Sequence, residues 1–234
     1  MRSLAGVGVL VATACAAYTA AAGAARSPSQ VLASILAAAR AQHSVHYSNT
    51  LSQPGLRLSF VGDVARTRGV QRITYRKGGQ TGHVTVLVTG GTAYVRGDSF
   101  VLANFMGLSP RAADKYAGRW ISLSSSDGGY RTVAAGVTLL SVVSELTVRG
   151  RLSTVADAEI DGRPAIGVTS TTRSASGVTR ETLYAQAKGQ HLPEREVVTQ
   201  GRSRVTVTLS RWNEPVTVAA PRQAVPIAVV EQTH

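Results

Sequence analysis

The chain has 234 residues, 44% of them hydrophobic and 16% charged, a balance that fits a globular protein and excludes a disordered one. Its formal net charge is +12, carried by 22 Arg and 3 Lys against 13 acidic residues, which favours anionic partners without choosing among them. Cys15 is the only cysteine, so no intramolecular disulfide forms and the fold rests on burial and hydrogen bonding.

The N-terminus reads as an export signal. Arg2 is the positive start, and Leu4–Ala17 is an apolar run shorter than the ~20 residues of a membrane-spanning helix. Ala20, Ala22 and Ala24 suit cleavage by a signal peptidase, and no later stretch is long and apolar enough to span a membrane. Residues 1–26 are therefore expected to be a leader with a tether, and the mature chain is expected in the cell envelope. Cys15 stands where a bacterial lipobox places its cysteine: Thr13 and Ala14 fit, although Ala12 replaces the usual leucine. "AAYTAAAGAARSPS" then reads as a small-residue tether. Two fates stay open. Lipidation at Cys15 anchors the protein to the outer face of the plasma membrane; loss of Cys15 with the leader makes it a secreted protein.

The mature chain opens with Ser27-Pro28 and a predicted helix over 29–42, where Val31, Leu32, Ile35, Leu36 and Ala39 form one apolar stripe. Period two follows. Val45, Tyr47, Asn49 and Leu51 share one face, as do Leu56, Leu58 and Phe60, and then Val84, Val86 and Val88. The Gly-rich turns "RKGGQTG" and "TGG" make this an antiparallel meander. The period then changes. Val101, Leu102, Phe105 and Met106, with a restart at Ser109-Pro110, predict a helix over 99–117; Val133, Val137 and Leu140 on one stripe, with Leu139, Val143 and Leu146 beside it, predict another over 131–147. Strands resume over 152–159, 165–172, 179–187, 194–200 and 202–212, with Asp161-Gly162 as a tight hairpin turn. About ten strands and three short helices leave a large one-sided sheet that must close, pair with a second sheet or curl around the helices. A curled sheet under so few helices keeps apolar surface uncovered, which marks a ligand or partner site.

Catalytic constellations are thin. His43 and His46 sit at a helix-to-strand switch without a carboxylate nearby in sequence, and there is no HExxH and no G-x-S-x-G. Asp157, Glu159 and Asp161 alternate along a strand and turn, and are better explained by opposing basic strands than as a glycosidase pair. "RGDS" at 96–99 reads as a turn after a strand rather than an adhesion motif. No basic-aromatic cluster suits nucleic acid. No cofactor or metal is expected.

Five stretches in order, "YVRGDSFVLANFMGLSPRAADKYAGRWISL", "TVAAGVTLLSVVSEL", "EIDGRPAIGVTS", "LYAQAKGQHLPEREVV" and "LSRWNEPVTVAAP", resemble the LppX/LprG-type actinobacterial lipoproteins. These are similar in turn to the LolA/LolB lipoprotein carriers. The most specific parts are Gly189–Pro193 and Trp212-Asn213-Glu214-Pro215 with Pro221. The resemblance implies an α+β fold, a strongly bent antiparallel half-barrel of about ten strands with about three helices over its concave face. It implies a non-enzymatic single domain over 27–234 that binds or carries acyl chains or lipoproteins in a hydrophobic cavity. The apolar strand faces, Leu56, Leu58, Phe60, Val84, Val86 and Val88, are then expected to line the cavity, closed by Phe105, Met106, Leu139 and Val143. Arg and Lys near its mouth would pair an anionic head group. The alternative is a sensing or structural envelope module that uses the same fold to bind a protein partner.

Overall fold

The structure, a computed structural model, describes residues 26–156, 158–175 and 177–233. Helix α1 (Pro28–Arg40) leads into strands β1 (Ser44–Gln53), β2 (Leu56–Ala65), β3 (Gly69–Lys77), β4 (Gln80–Thr89) and β5 (Thr92–Gly97). Helices α2 (Ser99–Phe105) and α3 (Pro110–Tyr116) follow, then β6 (Ile121–Ser124), α4 (Tyr130–Ala134) and α5 (Leu139–Glu145). The second half holds β7 (Leu152–Val155), β8 (Glu159–Ile160), β9 (Arg163–Ser174), β10 (Gly177–Gln186), β11 (Pro193–Gln200) and β12 (Ser203–Ser210). Strand β13 (Val225–Pro226) and helix α6 (Ile227–Glu231) come last.

The strands line up as β13-β6-β5-β4-β3-β2-β1-β12-β11-β10-β9-β7, with β8 paired to β9, so the sheet stays open as a half-barrel. The α+β class holds, but two counts need correction. Among the described residues there are thirteen strands and six helices, not about ten and three. The sheet is also not wholly antiparallel, because Val225 and Pro226 pair in parallel with Ile121 and Ser122.

The extra strands are short, and two-residue strands show no period. The extra helices come from breaks that local chemistry explains. Pro110 disfavours a helical Ser109, which is extended at ψ 150°, so the predicted helix over 99–117 splits; the Ser109 hydroxyl caps the restart by accepting from Ala112 N–H. The predicted helix over 131–147 splits at Gly136, where φ is +73° and an added Cβ would stand 2.8 Å from Gln71 Nε2. Thr138 and Ser141 then form a capping box that starts α5. Helix α1 starts on a similar box, Ser27 with Gln30, and Pro28 fits its first turn.

Two buried clusters lie on this continuous sheet. One joins β3–β6 to α2, α3, α4 and α6 through Val84, Val86, Val95, Leu102, Ile121 and Val230; the other joins α1 and α5 to β1, β9, β10 and β12 through Ile35, Val45, Val143, Leu183 and Leu209. Phe60 packs against both. The closing Trp-Asn-Glu-Pro motif is a latch. Asn213 accepts from His43 N–H at 2.8 Å and donates to Gln42 at 2.7 Å, while the Ser44 hydroxyl donates to the Glu214 carbonyl at 2.5 Å.

Candidate functional site

Strand register sets out the concave face in rows. In the first, Tyr47, Gly62, Gln71, Val86 and Val95 stand side by side, all buried. Two residues along lie Glu196, Val207, Asn49, Phe60, Ile73 and Val84. Two further along lie Val198, Val205, Leu51, Leu58 and Tyr75, and every one is only half-buried, as is Leu56 beyond them. The cause is where the helices sit. Helices α2, α4 and α6 pack on β4, β5 and β6, and α1 on β7, β9 and β11, so cover is heaviest on the flanks. The far ends of β1, β2, β3 and β12 form an apolar trough.

At the head of the trough is a cavity of about 170 Å³ lined by Tyr47, Asn49, Phe60, Gln71, Ala135, Gly136, Val142, Glu145, Leu146, Glu196 and Val207. The Tyr47 ring lies across Gly62, in the space an added Cβ would fill. Its hydroxyl donates to the Gly136 carbonyl at 2.6 Å and accepts from Gln71 Nε2. Burial raises the Tyr47 phenol well above its usual range. Glu196 is 5% exposed and accepts from Thr147 N–H at 3.1 Å. Burial pushes its carboxyl up to about 8; the Thr147 N–H works against that rise, while Glu181 and Glu145 add to it. The carboxyl therefore keeps its proton at neutral pH. Asn49 Oδ1 is buried with no hydrogen-bond partner. The cavity thus has an apolar wall, a buried polar pole of Tyr47, Asn49, Gln71 and Glu196, and the exposed Glu145 at its edge, with no Arg or Lys in the lining. At about 170 Å³ it is smaller than the roughly 300–1,000 Å³ of ordinary ligand pockets, and its Asn49, Phe60 and Val207 wall adjoins the trough.

Of the residues expected at the site, Leu56, Leu58 and Phe60 lie on the trough and cavity wall. Val84, Val86 and Val88 are at most 2% exposed within the first cluster. Phe105 and Met106 line a separate hollow of about 310 Å³ beside Leu123 and Ile227. Leu139 and Val143 line another of about 220 Å³ with Leu140, Arg40 and Arg66. Cys15 lies outside the described residues, as does Asp157. Tyr47, Asn49, Gln71 and Glu196 were not among the expected residues. The signal for Asn49 and Glu196 is a polar residue in phase with an apolar strand face.

The other sequence features have structural partners. Asp98 of "RGDS" caps α2 by accepting from Val101 N–H and also accepts from His83 N–H. His46 pairs with Asp63 at 2.8 Å. Asp161 pairs with Arg195 at 3.1 Å. Among the described residues no three His, Cys, Asp or Glu side chains gather as metal ligands, and no helix is long and apolar enough to cross a membrane.

The model of the LppX_LprAFG lipoprotein family matches residues 27–218. LprF from Mycobacterium bovis is similar in structure at 19% identity, over 83% of this chain and 96% of that one, with a TM-score of 0.55. The Mycobacterium tuberculosis lipoprotein LppX aligns at 20% identity over 81% of this chain and 96% of that one, with a TM-score of 0.49. No curated protein matches the sequence. With a match running from the start of α1 past the Trp212 latch, and a fold shared with LprF, the chain belongs to the LppX_LprAFG lipoprotein family.

Proposed function

We propose that this protein is an exported envelope protein that holds lipid acyl chains against the concave face of its sheet and does no chemistry on them. One observation carries the reading: a half-buried apolar trough of Leu51, Leu56, Leu58, Tyr75, Val198 and Val205 that runs into a cavity with a polar pole and no basic residue in its lining. Each buried methylene contributes about 0.8 kcal/mol, so about ten of them along the trough contribute about 8 kcal/mol before the cost of ordering the chain. The polar pole takes an ester or hydroxyl group rather than an anion, because no Arg or Lys lines the cavity and Glu145 does. An anionic head group, where the cargo has one, sits at the hollow over Leu139 and Val143, which Arg40 and Arg66 flank. Lipidation at Cys15 holds the protein at the membrane that supplies its cargo.

The test is uptake of a fluorescent long-chain lipid by the wild type and by Leu58→Arg. Leu58 is half-buried, so the variant keeps its circular dichroism spectrum and thermal midpoint while uptake falls at least ~10-fold. A folded variant that takes up lipid like the wild type contradicts the reading.

A further inference from the structure

The convex face of the sheet carries a charge pattern that cargo binding does not use. Register puts Arg180, Arg204, Arg57 and Arg76 in one row, through Arg180↔Thr199, Thr199↔Arg204, Arg204↔Ser52, Ser52↔Arg57 and Arg57↔Arg76. Each is exposed. Four residues along the strands, Arg72 and Arg96 stand either side of Thr85 in a second row. Between the rows runs a hydroxyl ladder, Thr206, Thr50, Ser59 and Thr74. No carboxylate occupies these rows on β1–β5 or β10–β12. Among the described residues the arginines that form ion pairs are Arg163, Arg195 and Arg211; Arg195 stands at the β11 end of the second row and pairs with Asp161, while Arg163 and Arg211 pair with Glu194, Asp63 and Glu214 away from the rows, and no ion pair engages the four arginines of the first row. Arg57 and Arg76 are also direct cross-strand neighbours, a like-charge pair that costs stability unless an anion screens it.

We propose that this convex face binds a linear polyanion, a chain of repeating phosphate groups laid across the strands. The guanidinium fork matches phosphate oxygens two at a time, and the hydroxyl ladder supplies further donors between the rows. Adjacent strands are about 4.8 Å apart, so the first row, which reaches from β10 to β3, spans roughly 25 Å, more than one small anion covers. The row crosses the strands and so follows the bend of the half-barrel. A flexible chain can follow that arc, whereas a flat bilayer touches it only along a line. The face also points away from the trough, so its occupant is distinct from the cargo.

The experiment measures binding of the full chain to long-chain inorganic polyphosphate, to triphosphate and to phosphatidylglycerol vesicles, over a range of salt. Polyphosphate should bind at least ~100-fold tighter than triphosphate, and its affinity should fall steeply as salt rises. Changing Arg57, Arg76, Arg180 and Arg204 together to Gln should weaken it at least ~10-fold while lipid uptake and the circular dichroism spectrum stay unchanged. The control changes Arg111, Arg131, Arg149 and Arg151 to Gln, four exposed arginines elsewhere with the same loss of charge. If the control weakens binding as much, net charge alone is responsible and the site is refuted. Triphosphate binding as tightly as polyphosphate, or vesicles outcompeting it through the same four arginines, also overturns the proposal. Because lipid uptake is read separately, failure here leaves the cargo reading standing, and failure there leaves this one.

Discussion

Two regions of the concave face share one alternation but differ in cover: β4 and β5 on the flank, and the far ends of β1, β2 and β12 in the middle. At the covered end, Val86 and Val95 are fully buried beneath α4 and its neighbours. At the open end, Leu51, Leu58 and Val205 face the same side of the sheet from β1, β2 and β12 and stay only half-buried. Side-chain chemistry does not separate these five residues, since all are branched aliphatics. What separates them is the reach of the helices, of which, among the described residues, there are six and none is longer than the 13 residues of α1. A sheet this wide under helices this short has a covered end that holds the fold and an uncovered end that is free to bind.

The sharpest break of that comparison is one substitution made at each end. Val86→Arg puts an unpaired charge where exposure is nil, and we expect loss of the cooperative thermal transition, a cost of several kcal/mol. Leu58→Arg should cost about 1 kcal/mol or less, because the guanidinium reaches water, and should act on uptake instead. Equal destabilisation by the two would erase the distinction between the ends.

Next in size is the boundary between the ends, where Glu196 sits. Its folded pKa, about 8, lies above the ordinary carboxylate value, so the folded state holds a proton that the unfolded state releases. Stability should therefore fall as pH rises from about 4.5 to about 8 and then level off. Each pH unit in that window removes at most about 1.4 kcal/mol, for a loss of a few kcal/mol in all. Glu196→Gln should remove that slope, matching the wild type near pH ~4.5 and exceeding it at pH ~9 in thermal melts. An unchanged slope would show that Glu196 is not the titrating group.

Tyr47→Phe comes third. It removes the hydroxyl that joins Gly136 to Gln71, and we expect a loss of about 1–2 kcal/mol by denaturant titration. The smallest effect is expected for Leu56→Ala at the outer lip of the trough, less than about 1 kcal/mol in stability and roughly a two- to threefold drop in lipid affinity.

The period-two faces were legible in sequence, and so was Leu56, Leu58 and Phe60 as one surface, because alternation is a local property. Helix α1 was legible for the same reason, since its cap, its proline and its stripe all fall within one short window. The splits at Pro110 and Gly136 were harder to read, because the apolar spacing runs on through both. At Gly136 the cause is long-range: the Tyr47 hydroxyl and the Gln71 side chain crowd that position from across the sheet. The polar pole was missed for a related reason. Asn49 and Glu196 lie far apart in sequence and meet only through the β1–β12 and β11–β12 pairings. Val84, Val86 and Val88 alternate just as Leu56 and Leu58 do; only the placement of α2 and α4 sets their burial apart.

The most direct measurement is mass spectrometry of organic extracts from the full chain purified from its producing organism under native conditions. The account predicts a long-chain lipid at close to one molecule per protein in the wild type and a strongly reduced amount in a folded Leu58→Arg variant. Wild-type protein that carries no lipid, or a folded variant that carries the same lipid in the same amount, would contradict it and favour a module that presents this face to a protein partner.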